Sequence, residues 1–312
     1  MTNRVIDIAE RPAKLTSRDG LLTIEQEGGP IKTIPFDHIA ALICSHPQAV
    51  LTQNCVAELA SANGVFVVCN RKHLPVGMMI PLVGHGEQTT IFQRQAEAGP
   101  VRKKRLWREI VQSKIRAQAA ALKDVTGDCH GLDHMSGRVK VGDAAQMEAL
   151  ASRLYWPLLF GDGTYRRSEE QDSRNALLNY GYAVVRAMVA RAICGAGLHP
   201  GLGLHHHNRY DPYPLASDLM EPFRPLVDRR VARWCSAGTG PWPLDKVSKA
   251  ALLALLLGRF TDGKEERSLF DWVERTAERV TRCIEGTRRG IDYPQLDAAA
   301  QADGPGPEAT SQ

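Results

Sequence analysis

The stretch from Leu204 to Asp228, LHHHNRYDPYPLASDLMEPFRPLVD, gathers three histidines, the carboxylates Asp218 and Glu221 and two arginines into twenty-five residues. From Leu215 onward, apolar residues at Leu215, Leu219, Phe223 and Leu226 predict a helix with one buried stripe. Asp218 and Glu221 stand three apart on it, so their carboxylates share a face. Tyr210, Pro212 and Pro214 describe an extended loop that would fold the histidines back over that face. Two carboxylates and an imidazole are hard oxygen with one borderline nitrogen, a set suited to Mn2+ or Mg2+ better than to structural zinc. A plainer reading stands beside this one: a solvated acidic face next to a surface histidine loop. Pro222 adds a difficulty, because it removes the helical bond to Asp218. Either it aims a carboxylate, or the helix begins later.

Other residues with chemical potential lie upstream. Glu148 stands beside Met147 on a helix predicted to open with Asp143 and Gln146 as a capping box and to run to Trp156 before Pro157. Its own face carries Ala151, Ser152 and Tyr155, with no basic neighbour one turn away. A carboxylate facing a packed interior needs a partner, a proton or a cation; a glutamate at a helix start also has the helix dipole as an ordinary explanation. From Arg94 to Lys123 nine basic residues face only Glu97 and Glu109. Leu106, Ile110, Ile115 and Leu122 give that segment an inward stripe, which leaves Arg102, Lys103, Lys104, Arg105, Arg108 and Lys114 for phosphate contacts. The ordinary alternative is a solubilising helix face, although such faces usually mix signs. Asn175, Asn179 and Tyr182 line one face of a long helix capped by Asp172 and closed by Gly195, as interhelical hydrogen bonds or as support for a site. Cys129, His130 and His134, in the loop from Thr126 to Gly142, lack a second pair at zinc spacing.

These residues need a scaffold, and the elements that position them divide in two. Residues 1–84 read as short strands, Arg4–Ile8, Ala13–Arg18, Leu21–Glu25, Ile31–Pro35, Ile39–Ile43, Val65–Cys69 and Leu74–Ile80, interrupted by one helix between Thr52 and Asn63-Gly64. They predict a small β-sandwich. Residues 85–95 read as a linker, residues 96–296 as a larger all-α catalytic domain, and residues 297–312 as a disordered tail. The expected class is α+β. At 312 residues with 43% apolar content the chain supports two cores. A net charge of +4 is too small to argue nucleic-acid binding by itself, so placement of charge must carry that argument. Seven cysteines without a Cys-x-x-Cys pair, and no apolar leader in MTNRVIDIAERPAK, fit a reduced cytoplasmic protein. The longest apolar run, Ala250 to Leu257, is far shorter than the ~20 residues a bilayer requires.

Four motifs in order resemble the CRISPR adaptation integrase, the first-named CRISPR-associated endonuclease, over nearly the whole chain. They are Glu148-Ala149 leading to Arg153-Leu154-Tyr155-Trp156; Asn175-Ala176-Leu177-Leu178-Asn179-Tyr180-Gly181-Tyr182; Gly203-Leu204-His205-His206 with Arg209; and Asp218-Leu219-Met220-Glu221-Pro222-Phe223-Arg224-Pro225. The HHHN and MEPFRP wording looks most like the versions accompanying single-protein RNA-guided effector nucleases. The resemblance implies a divalent metal held by Glu148, His206 and Glu221, with His206 selected over His205 and His207 by its distance from Glu221. It places Asp218 as a ligand or a support, and leaves His205, Arg209 and Asn179 as supporting residues. The loop from Arg209 to Pro214 departs from the family, with aspartate and prolines in place of a more basic stretch.

The chemistry so implied is insertion of spacer DNA into the CRISPR array. A DNA 3'-hydroxyl attacks a target phosphate and another 3'-hydroxyl leaves, so no protein nucleophile is needed; with water as the attacker the same site is an endonuclease. The resemblance further implies double-stranded DNA as substrate and a homodimer, two copies of which clasp a dimer of a small companion adaptation protein in a heterohexamer. The RNA-guided effector nuclease is a further expected partner. Two other classes fit part of the pattern: a catalytically silent DNA-binding scaffold, which has no use for Glu148, and a small-molecule metal phosphohydrolase, which has little use for the basic helix.

Overall fold

Short alternating segments separated by turn residues build the first part of the chain. The computed structural model describes residues 4–71, 75–81, 85–169, 172–238, 240–256 and 258–298. Its first strands are β1 (Arg4–Ile8), β2 (Ala13–Arg18), β3 (Leu21–Gln26), β4 (Lys32–Pro35), β5 (Ile39–Cys44), β6 (Val50–Leu51), β7 (Val65–Cys69) and β8 (Pro75–Met79). They form two sheets, ordered β1-β5-β7-β8 and β4-β3-β2-β6. β5, IAALIC, is buried at every position because it is an inner strand covered on both faces. On one side Ile39 and Leu42 meet Leu15, Leu22 and Ile24 of the opposing sheet, which makes the sandwich; on the other Ala40 and Ile43 join the core of the helical region.

Helix α1 (Gln53–Ser61) starts as expected, with Thr52 Oγ1 accepting the Cys55 N–H at 3.3 Å. Its end differs. Asn63, not Gly64, takes the left-handed backbone, at φ 59°. Gly64 answers a different need, since a Cβ there would lie 2.4 Å from Leu59 Cδ1.

The segment read as a linker is mostly helix α2 (Gln88–Ala96). Ile91 and Gln95 are buried, and Gln95 Nε2 donates to the carbonyls of His199 and Leu202, both at 2.9 Å. The segment is polar in composition like a linker, but the amide of Gln95 serves a distant loop. Next comes α3 (Pro100–Thr126), opened by Pro100, which needs no donor there, and closed by Gly127 at φ 88°. Leu106, Trp107, Ile110, Val111, Ile115 and Leu122 are buried along it. Around it pack α4 (Leu132–Gly137), α5 (Met147–Phe160), α7 (Pro214–Met220), the 3₁₀ turn Glu221–Phe223 and α8 (Arg224–Ser236), while α6 (Ser173–Gly195) packs on α7 and α8.

Two expectations about helices need correction. α5 begins at Met147 rather than Asp143 and runs through Pro157 to Phe160. Asp143 caps it from a preceding turn, Oδ1 accepting Met147 N–H at 2.9 Å and Oδ2 accepting Glu148 N–H at 3.1 Å. The helix expected from Leu215 onward is not continuous: α7 ends at Met220, the chain tightens to a 3₁₀ turn over Glu221–Phe223, where the N–H missing from Pro222 is tolerated, and helix resumes as α8.

The later region is not wholly helical. After α9 (Lys246–Leu256), β9 (Arg259–Thr261) and β10 (Glu266–Ser268) form a hairpin, and Trp272 Nε1 of α10 (Leu269–Glu285) donates to the Phe260 carbonyl at 3.0 Å. β11 (Asp297–Ala298), placed by composition in the tail, pairs with β9. Residues 299–312 of that tail lie outside the described residues, as do Leu74, Gly84 and Leu257. Among the described residues no helix is long and apolar enough to cross a membrane.

Candidate metal centre

Asp218 is fully buried on α7 and organises the histidine loop. Its carboxylate accepts backbone N–H groups from Leu204 at 2.6 Å and from His205 and His206 at 3.1 Å each. Gly203 allows the loop to close this tightly, since a Cβ there would sit 2.8 Å from the His206 carbonyl oxygen. Asp218 Oδ1 also lies 2.6 Å from His206 Nδ1. That contact raises the His206 pKa against the opposing effect of burial. It engages Nδ1 and leaves Nε2 as the ring nitrogen available to a ligand. His205 stacks flat on Trp107, its ring centroid 4.1 Å away, and burial lowers its pKa. His207 is exposed.

Glu148, in the first turn of α5, and Glu221, in the 3₁₀ turn, meet around one cation. Lys114 Nζ, from α3, is 2.6 Å from Glu148 Oε1 and 2.5 Å from Glu221 Oε2. Glu221 Oε1 lies 3.1 Å from Arg224 Nε. Burial pushes the Glu221 pKa up, but Lys114 and Arg224 outweigh it and hold the carboxyl below its usual range. The charges of both glutamates reach His206 and help raise its pKa, so the three side chains share one electrostatic neighbourhood.

As placed, no three His, Cys, Asp or Glu side chains among the described residues stand close enough together to hold a metal. Lys114 stands between the two glutamates. The donor set nevertheless fits a divalent ion. Glu221 is buried with the Lys114 ammonium against its Oε2, so the charge of this oxygen calls for a cation beside it. Two carboxylate oxygens and one free imidazole nitrogen suit Mn2+ or Mg2+.

The other expected residues fall in different places. Asp218 supports the loop and is engaged by it. Asn179 is exposed and accepts from Arg167 Nη2 at 2.6 Å. Arg209 lies over its neighbour Tyr210, 4.7 Å from the ring centroid, at the surface. In the divergent loop Asp211 pairs with Arg186 and accepts Ser217 Oγ at 2.7 Å, which ties that loop to α6 and α7.

The expected DNA-binding set divides as well. Lys114 is buried between carboxylates, so it does not belong to a phosphate-facing surface. Arg102 Nη1 donates to the Ile284 carbonyl at 2.5 Å, and the Nε atoms of Arg105 and Arg108 are buried. Lys103 is half-buried and Lys104 exposed. Periodicity alone places these charges outside, whereas α3 is packed by α4, α5, α7, the 3₁₀ turn and α8.

Arg167 and Arg186, which the sequence does not single out, line a cleft of about 660 Å³ beside Glu221 together with Arg224, Asn179, Tyr182 and Tyr213. Tyr182 carries the guanidinium carbons of Arg224 at 4.7 Å and Arg167 at 5.2 Å from its ring centroid. Behind it, the Tyr182 and Tyr155 hydroxyls both donate to the buried Asp228 carboxylate, whose pKa burial pushes up to about 7. Arg224 was visible in MEPFRP; Arg167 and Arg186 carry no local signal.

The family model for the CRISPR associated protein Cas1 matches residues 6–240. The CRISPR-associated endonuclease Cas1 of Neisseria meningitidis serogroup C is 35% identical over 208 residues, 66% of this chain and 68% of that protein. A casposase bound to integration product superimposes with a TM-score of 0.77 over 94% of each chain, at 16% identity. The Cas6-RT-Cas1–Cas2 complex gives 0.74 over 95% of this chain and 36% of the other, also at 16% identity. Likeness at that identity establishes the fold, an α+β arrangement with strands first. The family model, spanning both the strand-rich region and the loop and helices that carry His206 and Glu221, settles kinship: the chain belongs to the Cas1 family of CRISPR-associated proteins.

Proposed function

We infer that this protein is a metal-dependent DNA integrase and endonuclease of CRISPR spacer acquisition, with Glu148, His206 and Glu221 as its metal ligands. The observation that carries the site assignment is the convergence of Glu148 and Glu221 on one cation, beside an imidazole whose Nδ1 is tied to Asp218. A bound Mn2+ or Mg2+ would polarise the target phosphate and stabilise the oxygens that attack and leave. One nitrogen among oxygen ligands favours Mn2+ over Mg2+. Asp218 fixes the ring that presents Nε2, and Asp143 holds the helix start that presents Glu148. Arg167 and Arg224 supply positive charge in the adjoining cleft, where phosphate oxygens would be drawn toward Glu221 and its cation. The reaction forms one bond between an incoming 3' oxygen and phosphorus and breaks one to the outgoing 3' oxygen, which gains a proton. Water in the first role gives hydrolysis.

The casposase and Cas1–Cas2 relatives support DNA as substrate and a companion-protein assembly. We extend this to a homodimer, two of which clasp a companion dimer. The decisive assay combines the protein, Mn2+, a short duplex with 3'-hydroxyls and supercoiled plasmid. Glu148→Ala, His206→Ala and Glu221→Ala are each expected to abolish strand transfer and cleavage, and His205→Ala to matter less. A variant that turns over DNA like the parent, with an unchanged melting curve, removes that residue from the ligand set. A small-molecule phosphohydrolase would leave the plasmid intact in every case.

A further inference from the structure

Lys114 leaves α3 near the middle of its length, where buried Val111 and Ile115 pin the backbone on either side. Its side chain is 12% exposed, and Nζ lies within 2.6 Å of one glutamate and 2.5 Å of the other. Held between two carboxylates, the amine carries its proton as an ammonium. The contact to Glu221 Oε2 is ionic, and another cation can replace the ammonium there. An ammonium and a divalent ion cannot both take these oxygens, because their repulsion at such separations far exceeds thermal energy in a poorly solvated site.

We propose that Lys114 is a resident counter-cation that competes with the divalent metal for Glu148 and Glu221. This rests on the reading of those glutamates as metal ligands. Without metal the ammonium, together with Arg224, offsets the charge of the two glutamates and spares Glu148 and buried Glu221 an unscreened repulsion. Metal loading requires the side chain to swing out of the seat, so the observed metal affinity is weaker than the ligands alone would give. Lys114 is thus a positioning residue that makes the metal-free protein stable and its metal exchangeable.

The test measures Mn2+ binding by calorimetry for the full chain, for Lys114→Met and Lys114→Gln, and for Glu148→Gln as control. Melting temperatures are taken in chelator and in Mn2+. Both Lys114 variants are expected to bind Mn2+ roughly tenfold or more tightly than the parent. They should melt lower than the parent in chelator and gain more from Mn2+, since a ligand that binds only the folded state stabilises it in proportion to its affinity. If Lys114→Met does not fold without metal, Lys114→Gln carries the comparison. Equal or weaker Mn2+ affinity in the Lys114 variants overturns the competition, while loss of binding in Glu148→Gln would leave the ligand assignment standing. Failure of parent and all variants to bind Mn2+ overturns both.

Discussion

Asp218 and Glu221 are two carboxylates three residues apart, and their surroundings give them opposite roles. Three backbone N–H groups and His206 engage Asp218, whereas Glu221 faces Lys114 and Arg224. Asp228, seven residues on from Glu221, is different again: with the Tyr155 and Tyr182 hydroxyls bonded to it, burial moves its pKa from 3.8 to about 7. Between those values the folded state holds a proton that the unfolded chain has released. Its contribution to stability is therefore complete below about pH 4 and is lost as pH rises through about 7, up to about 4 kcal/mol in all. Asp228→Asn has no such titration. Urea unfolding at about pH 5 and about pH 8 should show the variant gaining on the parent as pH rises. A difference independent of pH would mean that Asp228 stays ionised throughout.

Helices α6 and α8 meet where α6 has no side chain. A Cβ at Gly181 would lie 2.4 Å from Val227 Cγ1, in the core behind the Tyr182–Asp228 bonds. Gly181→Ala forces two rigid helices apart, because Val227 is branched at Cβ and cannot rotate away freely. The expected loss is about 1–3 kcal/mol by urea denaturation. Val227→Ala makes room, so the double variant should lose less than the sum of the two single variants. Strict additivity would show that the helices do not press on each other here. The same packing explains why Pro222 is tolerated: the 3₁₀ turn is held between α3 and the two flanking helices, so neighbours supply what one missing hydrogen bond removes.

Across the whole molecule, a net charge of +4 conceals a division between structural and free cations. Lys114 and Arg102 contact groups inside the protein, and Arg94 pairs with Glu285 at the surface. Lys103, Lys104, Arg116 and Lys123 remain for solvent or phosphate. Lys103→Glu with Lys104→Glu should therefore weaken duplex binding for any sequence and make the slope of log affinity against log salt shallower by about 0.9 per lost contact. Glu221→Ala should leave that slope nearly unchanged. Salt titrations with two unrelated duplexes check this; an unaltered slope would place the DNA elsewhere, the arginine-lined cleft being the next surface to test.

By itself the sequence determined the α+β class, the order of strands before helices, and the residues worth suspecting. Local patterns suffice for these, because hydrophobic period, caps and turns are properties of neighbours in the chain. Leu215, Leu219, Phe223 and Leu226 are buried as their spacing predicts, but so is every other residue from Pro214 to Phe223, so the segment is enclosed on all sides rather than along one stripe. The sequence also misled where neighbours were poor guides. Residues 85–95 read as a linker because the partners of Gln95 lie more than a hundred residues away. Lys114 looked like a surface cation because nothing on α3 announces Glu148 and Glu221. Only the tertiary structure decided that Asp218 serves the histidine loop, that Glu221 faces an ammonium, and that Arg167, Arg186 and Arg224 share one cleft. Each outcome depends on charges brought together from separate elements, and burial decides both how strongly such charges interact and which of them keep their protons.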